Sequence, residues 1–321
     1  MKFKHKRYFF ILRPARIFIH WSKRIRFQKY SGASLYSIVK IFINNLQKHE
    51  ILERANAVTF NFTLAIFPAI IFLFTLMPYV SSIIPQVSAE SIMSLFHDIM
   101  PESMYEVAAS TVEDMLSNTR GSLLTFGFLF SLYLSTNGMM ALMTAFNAIY
   151  MTRENRSTWR MRLVATGLTF ILAFVLVLAI VLLIVGQFVL YWLNDIEWLH
   201  IDDYLYNLLL ISRFIVIFVV FFLAIAFIYY LGPAVHYNWR FFSWGSFVAT
   251  FLCIAISYGF SYYITSFGTY NKIYGSIGAL IALMIWQQLL TIVLLFGYEI
   301  NASIHEASTK AAMKRLMQAG A

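Results

Sequence analysis

Six stretches of the chain are long, apolar and free of Asp, Glu, Lys and Arg: Ala57–Val80, Gly121–Tyr150, Leu163–Leu193, Phe214–Leu231, Phe241–Phe267 and Gly275–Tyr298. About 20 apolar residues at ~1.5 Å of rise cross a ~30 Å hydrocarbon core. The pattern predicts six transmembrane helices, the longer ones tilted or protruding. Phe170–Val185 reads FILAFVLVLAIVLLIV, without polar alternation. Barrel strands alternate apolar and polar residues over about ten positions, so an outer-membrane barrel is excluded.

Outside the spans, Leu35–Leu52 has apolar residues at 35, 38, 39, 42, 46 and 52, the spacing of an amphipathic helix. It is expected to lie along the inner interface and lead into the first span. Ser88–Met100, and the segment after Pro101 carrying Met104, Val107, Ala108, Val112, Met115 and Leu116, read as two amphipathic helices broken at the proline. They form the expected helical hairpin over the outer face. The first thirty residues offer only Tyr8–Leu12 and Ile17–Trp21 as apolar pieces, too short for the apolar core of a cleavable signal peptide. The fold class is therefore an all-α polytopic membrane protein. Its expected parts are a basic arm over 1–54, a six-helix domain over 55–305 with an outer cap over 81–120, and a tail over 306–321.

Charge orients these spans. Residues 1–54 hold 13 Lys+Arg against Glu50 and Glu53, and the 151–162 connection adds Arg153, Arg156, Arg160 and Arg162 against Glu154. The connections over 81–120 and 194–213 carry six and four acids, each with a single arginine. Taken over alternate connections, 21 Lys+Arg fall on one side and three on the other. The positive-inside rule places the rich side, with both termini, in the cytoplasm. The arm mixes Tyr8, Phe9, Phe10, Ile17, Phe18 and Trp21 with its charges, which suits an anionic inner leaflet better than nucleic acid.

Composition narrows the function classes. The chain is 60% hydrophobic and 12% charged, with a mean hydropathy of +0.71. Soluble domains average ~45–50% and ~25%, so a soluble enzyme, a disordered chain and a disulfide-stapled module are excluded. The one cysteine, Cys253, lies in an apolar run and cannot by itself form an intramolecular disulfide or a multi-cysteine metal site. No phosphate-binding glycine loop, HExxH or GxSxG occurs. No catalytic residue, metal site or cofactor is expected.

Polar groups inside the spans are the remaining candidates, because hydrocarbon makes them costly. Asn61, Asn137, Gln187, Gln287 and Gln288 are candidates to line a polar pathway, or else they hydrogen-bond between helices. Pro68, Gly138 and the Gly232-Pro233 pair are candidate hinges. Glu299 closes the sixth span. It is expected to latch onto Arg54, Arg153 or Arg156, with a simple interfacial anchor or a proton site as alternatives.

The run Arg54-Ala-Asn-Ala-Val-Thr-Phe-Asn-Phe-Thr-Leu-Ala-Ile-Phe-Pro68 resembles the first-span motif of the YihY/BrkB membrane proteins. Ala145-Phe-Asn147-Ala-Ile-Tyr150 with Arg153 and Arg156, Tyr270-Asn-Lys-Ile-Tyr274-Gly275-Ser-Ile-Gly278, Trp286, and Leu295-Phe-Gly297-Tyr-Glu299 are similar to the motifs that follow. The resemblance covers roughly residues 35–305, as far as motif order can bound it. Phe60, Tyr150 and Tyr298 depart from the family pattern, which often has a tyrosine, a tryptophan and a small residue there. The resemblance implies a six-span protein of the bacterial inner membrane. Family members carry the labels ribonuclease BN and virulence factor, and some are similar to proposed exporters of lipids or lipopolysaccharide precursors. The expected function is transport or flipping of a lipid or amphiphilic anion; the alternative is a non-transporting scaffold of envelope assembly, and a nuclease lacks the residues it needs.

Overall fold

The computed structural model describes residues 22–27, 32–48, 50–83, 121–150, 154–194, 203–234, 241–266 and 269–319. The expected outer hairpin and Arg153 lie outside the described residues. A two-residue antiparallel hairpin, β1 (Arg26–Phe27) and β2 (Ala33–Ser34), precedes α1 (Leu35–Lys48). Six long helices follow: α2 (Ile51–Ile83), α3 (Gly121–Ile149), α4 (Thr158–Asn194), α5 (Asp203–Leu231), α6 (Trp244–Ser266) and α7 (Thr269–Ala319). All six are long and apolar enough to cross a membrane, as the charge-free runs predict.

The helices outrun those runs, because a charged residue ends the apolar stretch without breaking the hydrogen-bond ladder. α7 continues through residue 306, where a tail was expected to begin, and its 51 residues span about 76 Å. α1 is shorter than the predicted 35–52. Glu50, at φ 46°, turns the chain so that α2 starts at Ile51. α1 does not stand apart along the interface, since its apolar face runs back along α7. Phe42 meets Phe296 edge-on at 4.9 Å, Ala33 and Ile38 cluster with Ala307, and Asn45 Nδ2 donates to Glu306 at 3.1 Å.

Each long helix packs on its neighbours in sequence and α7 closes on α2, so the six form a ring; α3 also touches α7 across it. α2 and α3 approach closely because Gly138 lies under the Phe62 ring, where a Cβ would come within 2.7 Å of a ring carbon. That contact gives Gly138 a packing role. Pro68 is buried inside α2, which runs unbroken to Ile83.

Packing is uneven along the ring axis. The main core gathers Val58, Met139, Leu142, Phe146, Leu168, Tyr229, Cys253, Leu295 and Tyr298. All of these lie in the halves of their helices nearer the basic connections. In α3, only Thr144 is exposed between 138 and 149. Between 121 and 133 the exposed positions, from Gly121 to Tyr133, spread over about 200° of the helix at 3.6 residues per turn. α6 behaves alike: Trp244, Phe247, Phe251 and Ala255 form one exposed stripe, whereas Tyr258, Gly259, Ser261, Tyr262 and Tyr263 again cover about 200°. Among the described residues, α3 and α6 thus expose a narrower face at the basic end than toward the other.

Candidate functional site

At the basic end the helix termini are joined by a layer of polar side chains. α5 ends at Gly232-Pro233, both buried, where the carbonyls of a helix terminus lack partners. Arg156 fills that need by donating from Nη2 to the Gly232 carbonyl at 2.8 Å, a cation at the negative end of the helix dipole. The same guanidinium grips Glu154 in a fork, Nε to Oε1 and Nη2 to Oε2, each at 2.8 Å. The Arg156 guanidinium holds the Glu154 carboxyl below the usual carboxylate range. Asn147, at the end of α3, donates to Glu154 Oε2 at 2.6 Å and accepts from the Ala234 N–H at 2.8 Å.

α6 is started in a matching way. Ser243 caps it, accepting from the Ser246 N–H at 3.1 Å while Ser246 Oγ accepts from the Ser243 N–H at 3.2 Å. The next orphan donor, the Gly245 N–H, goes to Asn301 Oδ1 of α7 at 2.8 Å, and Asn301 Nδ2 donates to Ser243 Oγ at 2.9 Å. Asn147 and Asn301 thus clamp the two ends of the α5–α6 connection. Tyr150 O–H bonds His305 Nδ1, joining α3 to α7.

Beneath this layer lies an aromatic plug. Tyr298 stacks on Phe146 at 4.3 Å between ring centroids, and Tyr229 meets both edge-on. Tyr229 O–H donates to the Leu294 carbonyl at 2.6 Å. Gly297 makes the fit possible, because a Cβ there would fall 2.6 Å from both Ala249 Cβ and the Tyr229 hydroxyl. Glu299 is 0% exposed and accepts from Ser303 Oγ at 3.1 Å. A carboxylate so placed is no surface anchor. Arg156, one of its expected partners, bonds Glu154 and the Gly232 carbonyl.

The four described amides among those expected along a pathway take separate partners. Asn61 Nδ2 donates to the Ala57 carbonyl of its own helix at 2.8 Å. Gln287 Oε1 accepts from Thr63 at 3.0 Å, and Gln288 Nε2 donates to Asn56 at 2.7 Å, both tying α7 to α2. The Gln187 side chain lies outside the described residues. Asn137 faces the other seam, toward α4. Local satisfaction wins because an amide in hydrocarbon takes the nearest partner. Of the motif residues, Trp286 Nε1 donates to Ser257 at 3.2 Å and Gly278 is buried, while Tyr274 and Gly275 lie in α7.

Two residues in these networks escaped the sequence reading. Asn301 lies past the last apolar run, where a polar residue carries no signal. Arg162 was assigned to a basic connection by its charge. It lies inside α4, and its guanidinium reaches Asn137 and Thr136 of α3 at 3.0 and 3.3 Å.

A ring of membrane-spanning helices, joined at one end by hydrogen bonds between helix termini, defines an all-α polytopic membrane protein. The family profile described as Virulence factor BrkB matches residues 42–319, and the chain belongs to that family. It is similar to YfkH of Bacillus subtilis (strain 168), a protein named as ribonuclease-like. The two are 30% identical over 270 residues, covering 84% of this chain and 96% of that one. No solved structure gives a significant match to the chain.

Proposed function

We propose that this protein moves a lipid or similar amphiphilic anion across the bacterial inner membrane, with both termini cytoplasmic. The observation that carries this reading is the uneven ring. Helices α3 and α6 expose narrow faces at the basic end and about 200° of their circumference toward the other. This widening of the exposed face toward the far side supports a route between the spans there, with the polar layer joining the helices on the near side. A carrier open to one face would expose its spans in this way. An amphiphile needs such a route, since an unpaired polar headgroup in hydrocarbon costs several kcal/mol.

A second reading, a non-transporting scaffold, draws on the completeness of the polar layer, which is satisfied like a permanent structural joint. We do not extend the ribonuclease-like name of the relative to this chain. The reading is tested with purified protein in vesicles, following a fluorescent anionic lipid between leaflets for wild type, Asn137→Leu and protein-free vesicles. Translocation above the protein-free rate, reduced in the variant, supports transport. Equal rates in all three, across several lipid classes, favour the scaffold.

A further inference from the structure

Arg162 is held in an unusual way for an arginine within an apolar helix. Its Nη2 donates to Asn137 Oδ1 at 3.0 Å, its Nη1 to Thr136 Oγ1 at 3.3 Å, and its Cζ lies 4.6 Å from the centroid of the Tyr133 ring. All three partners are neutral. Among the described residues no carboxylate offsets the charge, although Glu154 lies only eight positions earlier and is bound to Arg156. Of five guanidinium donors, two are used and three remain. Asn137 is twelve residues, about 18 Å of helix rise, from the end of α3 at Ile149. The guanidinium is therefore drawn away from the basic end and into the zone of the spans.

The surroundings suit an amphiphile. Trp159 is 79% exposed one turn before Arg162, Leu163 is 70% exposed beside it, and Tyr133 is exposed across the seam. A planar fork fixed by two neutral acceptors and an aromatic face is preorganised to receive a phosphate through its free donors. Arg156, the other candidate for a headgroup, has its charge matched by Glu154 and can offer less.

We propose that Arg162, presented by Thr136, Asn137 and Tyr133, binds the phosphate of an anionic lipid in the seam between α3 and α4. This names the ligand class for the transport reading and rests on it for purpose. The test reads binding alone, so a translocation failure and a binding failure remain distinguishable.

The test uses the full chain in detergent, titrated with phosphatidylglycerol or phosphatidylcholine of the same acyl chains and read by native mass spectrometry. Phosphatidylglycerol is expected to bind wild type about tenfold more tightly than it binds Arg162→Gln, as befits loss of a charge-assisted contact. Phosphatidylcholine should bind the two alike, and Arg160→Gln should resemble wild type. Excess inorganic phosphate that leaves phosphatidylglycerol binding intact assigns the site to the lipid; displacement assigns it to free phosphate. Should Arg162→Gln fail to fold, a photoactivatable phosphatidylglycerol on the wild type replaces it, with adducts expected on the segments containing Tyr133 or Trp159. Equal phosphatidylglycerol affinity for wild type and Arg162→Gln, or adducts confined to other helices, would overturn the proposal.

Discussion

Replacing Gly297 by alanine puts one methyl group where α6 and α7 touch. The new Cβ would lie 2.6 Å from Ala249 Cβ, 2.6 Å from the Tyr229 hydroxyl and 2.8 Å from the Gly245 carbonyl oxygen. Carbon atoms prefer about 3.5–4.0 Å, so the helices must part by about 1 Å. Two of these neighbours are fixed by their own backbones, so the strain cannot relax by turning a rotamer. Overpacking of this kind costs about 1–3 kcal/mol. Displacing Tyr229 also loosens its bond to Leu294, another ~1 kcal/mol. Alanine returns up to ~1 kcal/mol in helix propensity. The net expectation is a loss of about 1–3 kcal/mol, seen as an apparent Tm several degrees lower in detergent, by size-exclusion fluorescence after heating. Gly167→Ala and Gly259→Ala supply the control, since a Cβ at either position meets nothing within 4 Å. Both should be neutral or stabilising. Ala249→Gly should partly rescue Gly297→Ala by removing one of the colliding methyls. If Gly297→Ala is as stable as Gly167→Ala, the close approach of α6 and α7 is wrong.

The remaining predictions concern the polar layer and the topology. Asn301→Ala strands the Gly245 N–H and should cost about 1–3 kcal/mol in a thermal assay; Asn301→Asp, which keeps the acceptor, should cost less. Glu154 has its pKa depressed by Arg156, so its contribution is present above the unfolded value near 4.5 and lost as pH falls through the lower folded value. The Tm gap between wild type and Glu154→Gln should accordingly shrink on acidification below that range, and a gap independent of pH would contradict the pairing. Single cysteines at Ser88 and Thr309 on a Cys253→Ala background should label from outside only at Ser88; labelling at Thr309 would reverse the orientation.

The spans were legible because hydrocarbon tolerates no charge, and a charge-free run of the required length has few other uses. Their ends were not, as α7 shows: Glu299, Asn301 and Glu306 end the apolar run yet sit in an unbroken helix. Arg162 was misplaced for a related reason. Counting charges assigns every arginine near a span end to the loop, whereas a long side chain can reach along the neighbouring helix to Asn137. Asn147 was visible through its motif, but its partners were not, because Glu154 and Ala234 are joined to it only by the fold. Asn61, Gln287 and Gln288 stand out in the sequence as polar groups within apolar runs. Which partner each takes depends on helix register, which an apolar sequence scarcely encodes.

The polar layer is the shut end of the proposed carrier, so weakening it should make transport easier. The decisive measurement is the rate of anionic-lipid translocation in vesicles for wild type and for the folded Asn147→Ala variant, which loses the bonds to Glu154 and Ala234. Wild type faster than protein-free vesicles, with Asn147→Ala faster still, is the predicted result. Both proteins at the protein-free rate would contradict translocation and leave the ring as a scaffold.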